Sequence, residues 1–384
     1  MPETMTADTP ETARESDAPE FAFLSAEEAL AETVLRAGCK LFSVYPMTPI
    51  NEVNEEYLKR APEYDAVSLT CESEMEGGWY AYGASKAGAR VMVGSTGVGI
   101  ALMGEMVSYA ARDGVPLVIS HWVRGGPGTG PTGSPSQGDY WQAVKAPANG
   151  DFRNIVFAPQ GVQELVDFTY HAFEVAEQIR GPVTVYTDYS VAKSTEVVAL
   201  PPRLDPGLRE QALTGKRGPR ERPAQRAEVR DEGGVSSSSE AVPEEERASR
   251  FLYLETATWD RWERYKLVEP MAERYRSEGA RLNLVAIGTM ARIVRVVVDE
   301  LRAEGLDVGL IRPQTLFPFP EEALLEAAAT STIMVVELSV GQMAEDVRLA
   351  LGERPLLYAR PGGVVPTLAE VSAQVRGAYT KLGA

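Results

Sequence analysis

The stretch from Cys71 to Ala101, CESEMEGGWYAYGASKAGARVMVGSTGVGIA, constrains this chain more than any other. Its first half reads as a helix with Glu74 near the start. Gly77, Gly78, Ala81 and Ala84 fall at a spacing that puts them on one face. So little bulk on one face lets something approach closely, either another stretch of backbone or a flat cofactor ring. A short apolar strand, Arg90 to Gly94, follows. It breaks into the turn Ser95-Thr96-Gly97-Val98-Gly99, which feeds a second helix from Ile100. On these residues two readings of Glu74 stand. It is an acid placed at a helix N-terminus because it suits the dipole, or it shares a site with the turn, with Thr96 and Gly97 as its companions.

The flanking sequence repeats the alternation of strand and helix. Ser25 and Glu28 have capping-box spacing ahead of the first helix, which Gly38 ends. A strand, Leu41 to Val44, runs into Tyr45-Pro46-Met47-Thr48-Pro49. Two prolines stiffen that segment, so it is either a plain turn or a loop presenting the Thr48 hydroxyl. A buried-type strand, Val115 to Val123, carries His121, read as a satisfied core or rim histidine. Gly128 to Gly133 match G-x-G-x-x-G by spacing, but Ser134-Pro135-Ser136 follows instead of a helix, which rejects a dinucleotide loop. What remains is Arg124, a cation just past a strand end. It suits either a surface ion pair or a planar carboxylate held through two parallel hydrogen bonds. Strands Asn154 to Phe157 and Pro182 to Thr187, with a helix between them, complete a parallel sheet covered on both faces.

The expected division is a tail (1–20), a first α/β domain (21–200), a linker or insert rich in Pro, Gly, Ser and charge (201–253), and a second α/β domain with a leading helix (254–384). The leading helix is expected over Thr256 to Ser277, broken or kinked at Pro270. The second domain shows strands at Leu282 to Ile287, Val308 to Ile311 and Ile333 to Glu337, a Gly288-Thr289-Met290 turn and a helix from Glu321 to Ala329. It reads as scaffold or interaction surface.

Composition excludes several classes. A net charge of −17 over 384 residues argues against a phosphate-binding surface for nucleic acid. Two cysteines, Cys39 and Cys71, cannot hold an iron–sulfur cluster unaided and read as small core residues. No apolar run approaches the ~20 residues of a membrane span. The acidic, Thr- and Pro-rich first twenty residues have neither a secretory core nor transit-peptide character. A disordered tail on a cytoplasmic protein is expected.

Several stretches together resemble the alpha subunit of 2-oxoacid:ferredoxin oxidoreductases, in particular the branched-chain (2-oxoisovalerate) or 2-oxoglutarate type. They are YPMTP, ESEMEGGWYAYGASKAGARVM, STGVGIALMGE, RGGPGTG with PSQGDYWQAVK, GTMARI, GLIRPQTLFPFP and ELSVGQMAEDVRLAL. The resemblance implies a pyrimidine-binding module for thiamine diphosphate followed by a transketolase C-terminal-like domain. It places Glu74 at the family's thiamine-activating glutamate, counted back from Gly83-Ala84-Ser85. It places Arg124 at the arginine that grips the substrate carboxylate, and Thr48 at the threonine beside the reacting carbon. It implies CoA as co-substrate and ferredoxin as acceptor. A beta subunit is implied to hold diphosphate and Mg²⁺, with gamma and delta subunits carrying iron–sulfur clusters. This chain itself has no Gly-Asp-Gly followed by Asn and no Cys-x-x-Cys. It also departs from the family: Asn149-Gly150-Asp151 stands where His-Gly-Asp or His-Gly-Glu is common, and Ser-Thr-Gly-Val-Gly where Ser-Gly-Pro-Gly is usual. The reaction implied is CoA-dependent oxidative decarboxylation of a 2-oxoacid. Two other classes compete with it: a non-catalytic assembly subunit, and a non-redox transferase of the transketolase kind.

Overall fold

Strands that read as unbroken apolar runs are buried on both faces, and in this chain they form two parallel sheets. The computed structural model describes residues 20–145, 148–204 and 244–382, with residues 244–254 described by backbone alone. The expected tail, except Glu20, and residues 205–243 of the expected insert lie outside the described residues. The strands of the first half are β1 (Glu20–Ser25), β2 (Leu41–Val44), β3 (Val67–Thr70), β4 (Val91–Ser95), β5 (Leu117–Val123), β6 (Ile155–Phe157), β7 (Pro182–Asp188) and β8 (Thr195–Leu200). Those of the second half are β9 (Ala272–Tyr275), β10 (Leu282–Val285), β11 (Val308–Pro313), β12 (Thr315–Phe317), β13 (Thr332–Glu337) and β14 (Leu356–Ala359).

The larger sheet runs β12-β6-β7-β5-β4-β2-β3, all parallel except β12. Helices Ala26–Arg36 and Val162–Ile179 cover one face with Leu30, Val34, Leu165 and Phe173. Helices Glu74–Lys86 and Gly104–Asp113 cover the other with Ala81, Met106 and Val107. The smaller sheet runs β14-β13-β10-β11-β9, with β9 antiparallel. β1 and β8 pair antiparallel as a separate ribbon. A third apolar cluster joins the sheets: Val123, Tyr140 and Tyr186 of the first half pack with Ile287, Ile311, Val335 and Met343 of the second. Among the described residues no helix is long and apolar enough to cross a membrane.

Several elements differ from the sequence reading. The helix expected from Ile100 is two, Gly97–Leu102 and Gly104–Asp113, so Gly97 and Gly99 are helical rather than part of a turn. Gly288 likewise opens a helix, Gly288–Ala303, instead of a turn. The leading helix is Glu244–Tyr265 and begins inside the expected linker. It ends before Pro270, which removes a donor and disfavours helix for the residue ahead of it. The expected second half of that helix is strand β9. The Ser25–Glu28 capping box is present as read, and both cysteines are free and buried.

Candidate active site

Strand order places the candidate residues together. The chain leaves β2, adds β3 on one side of it and β4 on the other. Loops at such a reversal diverge and leave a crevice at the carboxyl edge of the sheet. Residues 45–49 follow β2, Glu74 follows β3, residues 95–99 span the end of β4, and Arg124 follows β5. All five residues singled out from sequence therefore lie along one edge.

Glu74 opens its helix. Ser73 caps it, its Oγ accepting from Glu76 N at 3.2 Å. The Glu76 carboxylate in turn accepts from Glu72 N at 2.7 Å. The neighbouring acids thus serve the cap or face solvent, and Glu74 alone of the three is buried, at 6% exposure. The small face of this helix resolves to close backbone approach: Ser43 Oγ on β2 donates to Gly77 O at 2.7 Å, and Met103 and Met106 fill the space over Gly78. Glu74 lies over Gly99. A Cβ at Gly99 would collide with Ser95 Oγ and stand 2.8 Å from Glu74 Oε1. Only glycine allows the segment to pass under that carboxylate.

On the other side of the same segment stands a residue that sequence reading missed. The Asp139 carboxylate packs on Gly97, where a Cβ would sit 2.7 Å from Asp139 Cγ. Gln142 Nε2 donates to Gly97 O at 2.9 Å. Behind Asp139 is His121, fully buried, its Nε2 3.5 Å from Asp139 Oδ2. The reading of His121 as a satisfied histidine is corrected: neither ring nitrogen has a hydrogen-bond partner, and its ring meets Tyr186 edge-on. Ser95 Oγ, directly across from His121 in the β4–β5 ladder, is also buried and unpartnered. Burial, with Asp139, Asp188 and Glu337 nearby, pushes the Tyr186 phenol well above its ordinary pKa. Asp139 was illegible because its partners are tens of residues away in sequence.

Arg124 fits neither sequence reading as first stated. It is buried, forms no ion pair among the described residues, and donates to Thr48 O at 2.5 Å and Thr129 O at 3.1 Å. Its Nε–H has no partner. Burial pushes its pKa down and the Asp139 charge pulls it back up. The guanidinium therefore fastens the 45–49 loop to its own loop while keeping a donor in reserve. Thr48 is exposed. Thr96 is buried, its Oγ1 2.7 Å from Met47 Sδ. Asn149 is not part of this edge; it pairs with Ser108 of the Gly104–Asp113 helix at 2.5 Å.

The second sheet presses on the site's outer loop. Gln137 Nε2 donates to Ile287 O at 2.8 Å, and Leu338 N donates to Gln137 Oε1 at 2.9 Å. Asp188, at the end of β7, accepts from Thr289 N at 2.7 Å, from Thr289 Oγ1, and from Val191 N at 3.2 Å. Gly288 has φ +50°, and a Cβ there would strike the Asp188 carboxylate, so this junction needs glycine twice over.

The family described as pyruvate flavodoxin/ferredoxin oxidoreductase, thiamine diphosphate-binding, matches residues 32–247, and the pyruvate:ferredoxin oxidoreductase core domain II matches residues 280–371. The ketoisovalerate oxidoreductase subunit VorB of Methanothermobacter thermautotrophicus is 36% identical over 348 residues, covering 88% of this chain and 93% of that protein. This chain belongs to the 2-oxoacid:ferredoxin oxidoreductase alpha-subunit family. The 2-oxoglutarate synthase subunit KorA of Methanocaldococcus jannaschii, another relative of this oxidoreductase subunit, is 30% identical over 378 residues, covering 92% and 99%. A solved 2-oxoglutarate:ferredoxin oxidoreductase from Magnetococcus marinus, with 2-oxoglutarate, coenzyme A and succinyl-CoA bound, shares the fold. Its TM-score is 0.78 at 24% identity, covering 97% of this chain and 68% of that one. A split-gene transketolase shares it at TM-score 0.55 and 16% identity, covering 94% and 99%. In this oxidoreductase subunit the edge carrying Glu74, residues 95–99 and Arg124 falls wholly within the thiamine-diphosphate-binding match.

Proposed function

We propose that this chain supplies the cofactor-activating and substrate-seating half of a complex that converts a 2-oxoacid, CoA and two oxidised ferredoxins to acyl-CoA, CO₂ and two reduced ferredoxins. The observation that carries this reading is the burial of Glu74 against Gly99, alone among three neighbouring acids. The residues fit thiamine diphosphate: a buried carboxylate, an unpartnered Ser95 hydroxyl beside it, and a glycine that keeps the space between them clear. When bound, the cofactor supplies the nucleophilic carbon and the sink for the electrons left by CO₂.

Glu74 holds the ring end through its carboxylate and moves a proton there. Thr96 and Gly97 form the wall against which the cofactor lies. Arg124 grips the 2-oxoacid carboxylate through the N–H groups it has left, and Thr48 lies beside the reacting carbon. Diphosphate and Mg²⁺ belong on a beta subunit, since the Gly-Asp-Gly pattern is missing from this chain. Clusters belong on gamma- and delta-type partners in the same cytoplasmic assembly. The outer side of the Glu74 helix supports a partner there: Met75, Trp79 and Tyr80 are exposed at 50%, 40% and 48%.

The test is Glu74→Ala in the complex assembled with its partner subunits, assayed by CoA-dependent viologen reduction over a panel of 2-oxoacids. Turnover is expected to vanish with assembly intact. Near-normal turnover would reject the role. A wild-type complex that reduces no viologen but transfers two-carbon units between sugars would establish the transketolase-like alternative, and one inert in both assays the assembly subunit.

A further inference from the structure

The 95–99 segment is gripped from two sides, and the proposed chemistry uses only one. Glu74 lies over Gly99. Asp139 lies over Gly97, and nothing above assigns it a task. Asp139 begins the Tyr140–Val144 helix, yet its side chain makes no capping hydrogen bond there. It is turned toward the segment instead, with His121 Nε2 3.5 Å behind it. His121 has no other polar partner, and its opposite neighbours are the Tyr186 ring and Ser95. A fully buried imidazole without hydrogen bonds is costly, and the approach of Asp139 is what lowers that cost.

We propose that His121 and Asp139 are a positioning pair: the imidazole aims the carboxylate at Gly97, and the carboxylate fixes the 95–99 segment at the spacing that thiamine diphosphate requires. This rests on the reading above that the cofactor lies against Thr96 and Gly97. The pair touches neither substrate nor Glu74, so it acts on cofactor affinity and leaves the proton-moving group alone. Asp139→Asn keeps the volume over Gly97 and removes the charge that faces His121. A role in bulk packing would not respond to that change.

The experiment is equilibrium dialysis of thiamine diphosphate against the assembled complex, with turnover measured at saturating cofactor. Asp139→Asn is expected to raise the dissociation constant roughly tenfold, the scale of one lost charge-assisted hydrogen bond, with kcat within about twofold. His121→Leu should give the same shift, and the double variant no more than either alone, because the two act as one unit. His121→Gln, whose amide nitrogen reaches where Nε2 stands, should restore binding. Unchanged affinity in Asp139→Asn, additive losses in the double variant, or a fall in kcat with affinity intact would each overturn the pair. If Asp139→Asn does not assemble, His121→Leu against His121→Gln decides, equal affinities overturning it. A wild-type complex that binds no thiamine diphosphate overturns both this pair and the function it rests on. Wild-type binding with no effect of the variants overturns the pair alone.

Discussion

Gly99→Ala tests the site with a single methyl group. Gly99 sits in the Gly97–Leu102 helix, where alanine is favoured over glycine by about 1 kcal/mol. The backbone therefore does not resist the change. The neighbours do: the new Cβ collides with Ser95 Oγ and Glu74 Cγ and stands 2.8 Å from Glu74 Oε1. Ser95 can rotate, since its hydroxyl has no partner to lose. Glu74 is buried and must move its carboxylate. Overpacking of this kind costs about 1–3 kcal/mol, so the helix gain leaves a net loss of roughly 0–2 kcal/mol and a folded, assembled subunit. The catalytic cost is larger, because a displacement near 1 Å of a proton-moving group lowers rate by about a hundredfold. The expected result is therefore a melting temperature within a few degrees of wild type and kcat down about a hundredfold, measured by thermal denaturation and viologen reduction. Ser95→Ala in the same chain should recover part of the rate by freeing space. Wild-type turnover in Gly99→Ala would mean that the buried carboxylate is not the group whose position matters.

Three further perturbations probe neighbouring features. Arg124→Lys keeps the charge but cannot span Thr48 O and Thr129 O; steady-state kinetics should show KM for the 2-oxoacid raised about tenfold to a hundredfold, and an unchanged KM would remove Arg124 from substrate binding. Asp188→Ala strips acceptors from Thr289, Val191 and Gln137 at the sheet junction; urea denaturation should show a loss of about 3 kcal/mol or more. Burial alone would raise the Asp113 pKa, but hydrogen bonds from Arg112, Lys86 and Tyr82 hold its carboxyl well below the usual carboxylate range. A depressed pKa stabilises the fold above the unfolded-state value, about 3.9, and the gain is lost as pH falls below it. Asp113→Asn should thus cost about 1 kcal/mol at pH 7 and progressively less below about pH 4, read from denaturation midpoints across pH.

Local pattern carried much of this fold. β4 and β5 were legible because a strand buried on both faces must be apolar throughout, as VMVGS and LVISHWV nearly are. Glu74 was legible as an acid at a helix start, and the resemblance of its surroundings to a known family gave it a candidate role. What stayed hidden depends on contacts between distant residues. β12 is three residues, TLF, whose place beside β6 is set by a chain returning from the second sheet. β9 lay under an aromatic spacing at Trp259, Trp262 and Tyr265 that is helical only up to Tyr265. His121 gives no sign in sequence of lacking hydrogen bonds, since that is a property of what the fold brings against it. Arg124 looked like a cation waiting for an anion, and its two backbone acceptors come from loops that only the sheet aligns.

The three-residue loan of β12 to the other sheet bears on how the protein can be divided. Residues 20–204 expressed alone would present β6 as an open margin, its outward amides and carbonyls ready to pair with any extended strand, another copy's included. Cutting the chain between its halves therefore yields a sticky fragment rather than a tidy module, and the cure is to supply the missing strip in trans: a peptide spanning Thr315–Phe317 and its flanks should quell self-association of the truncated piece.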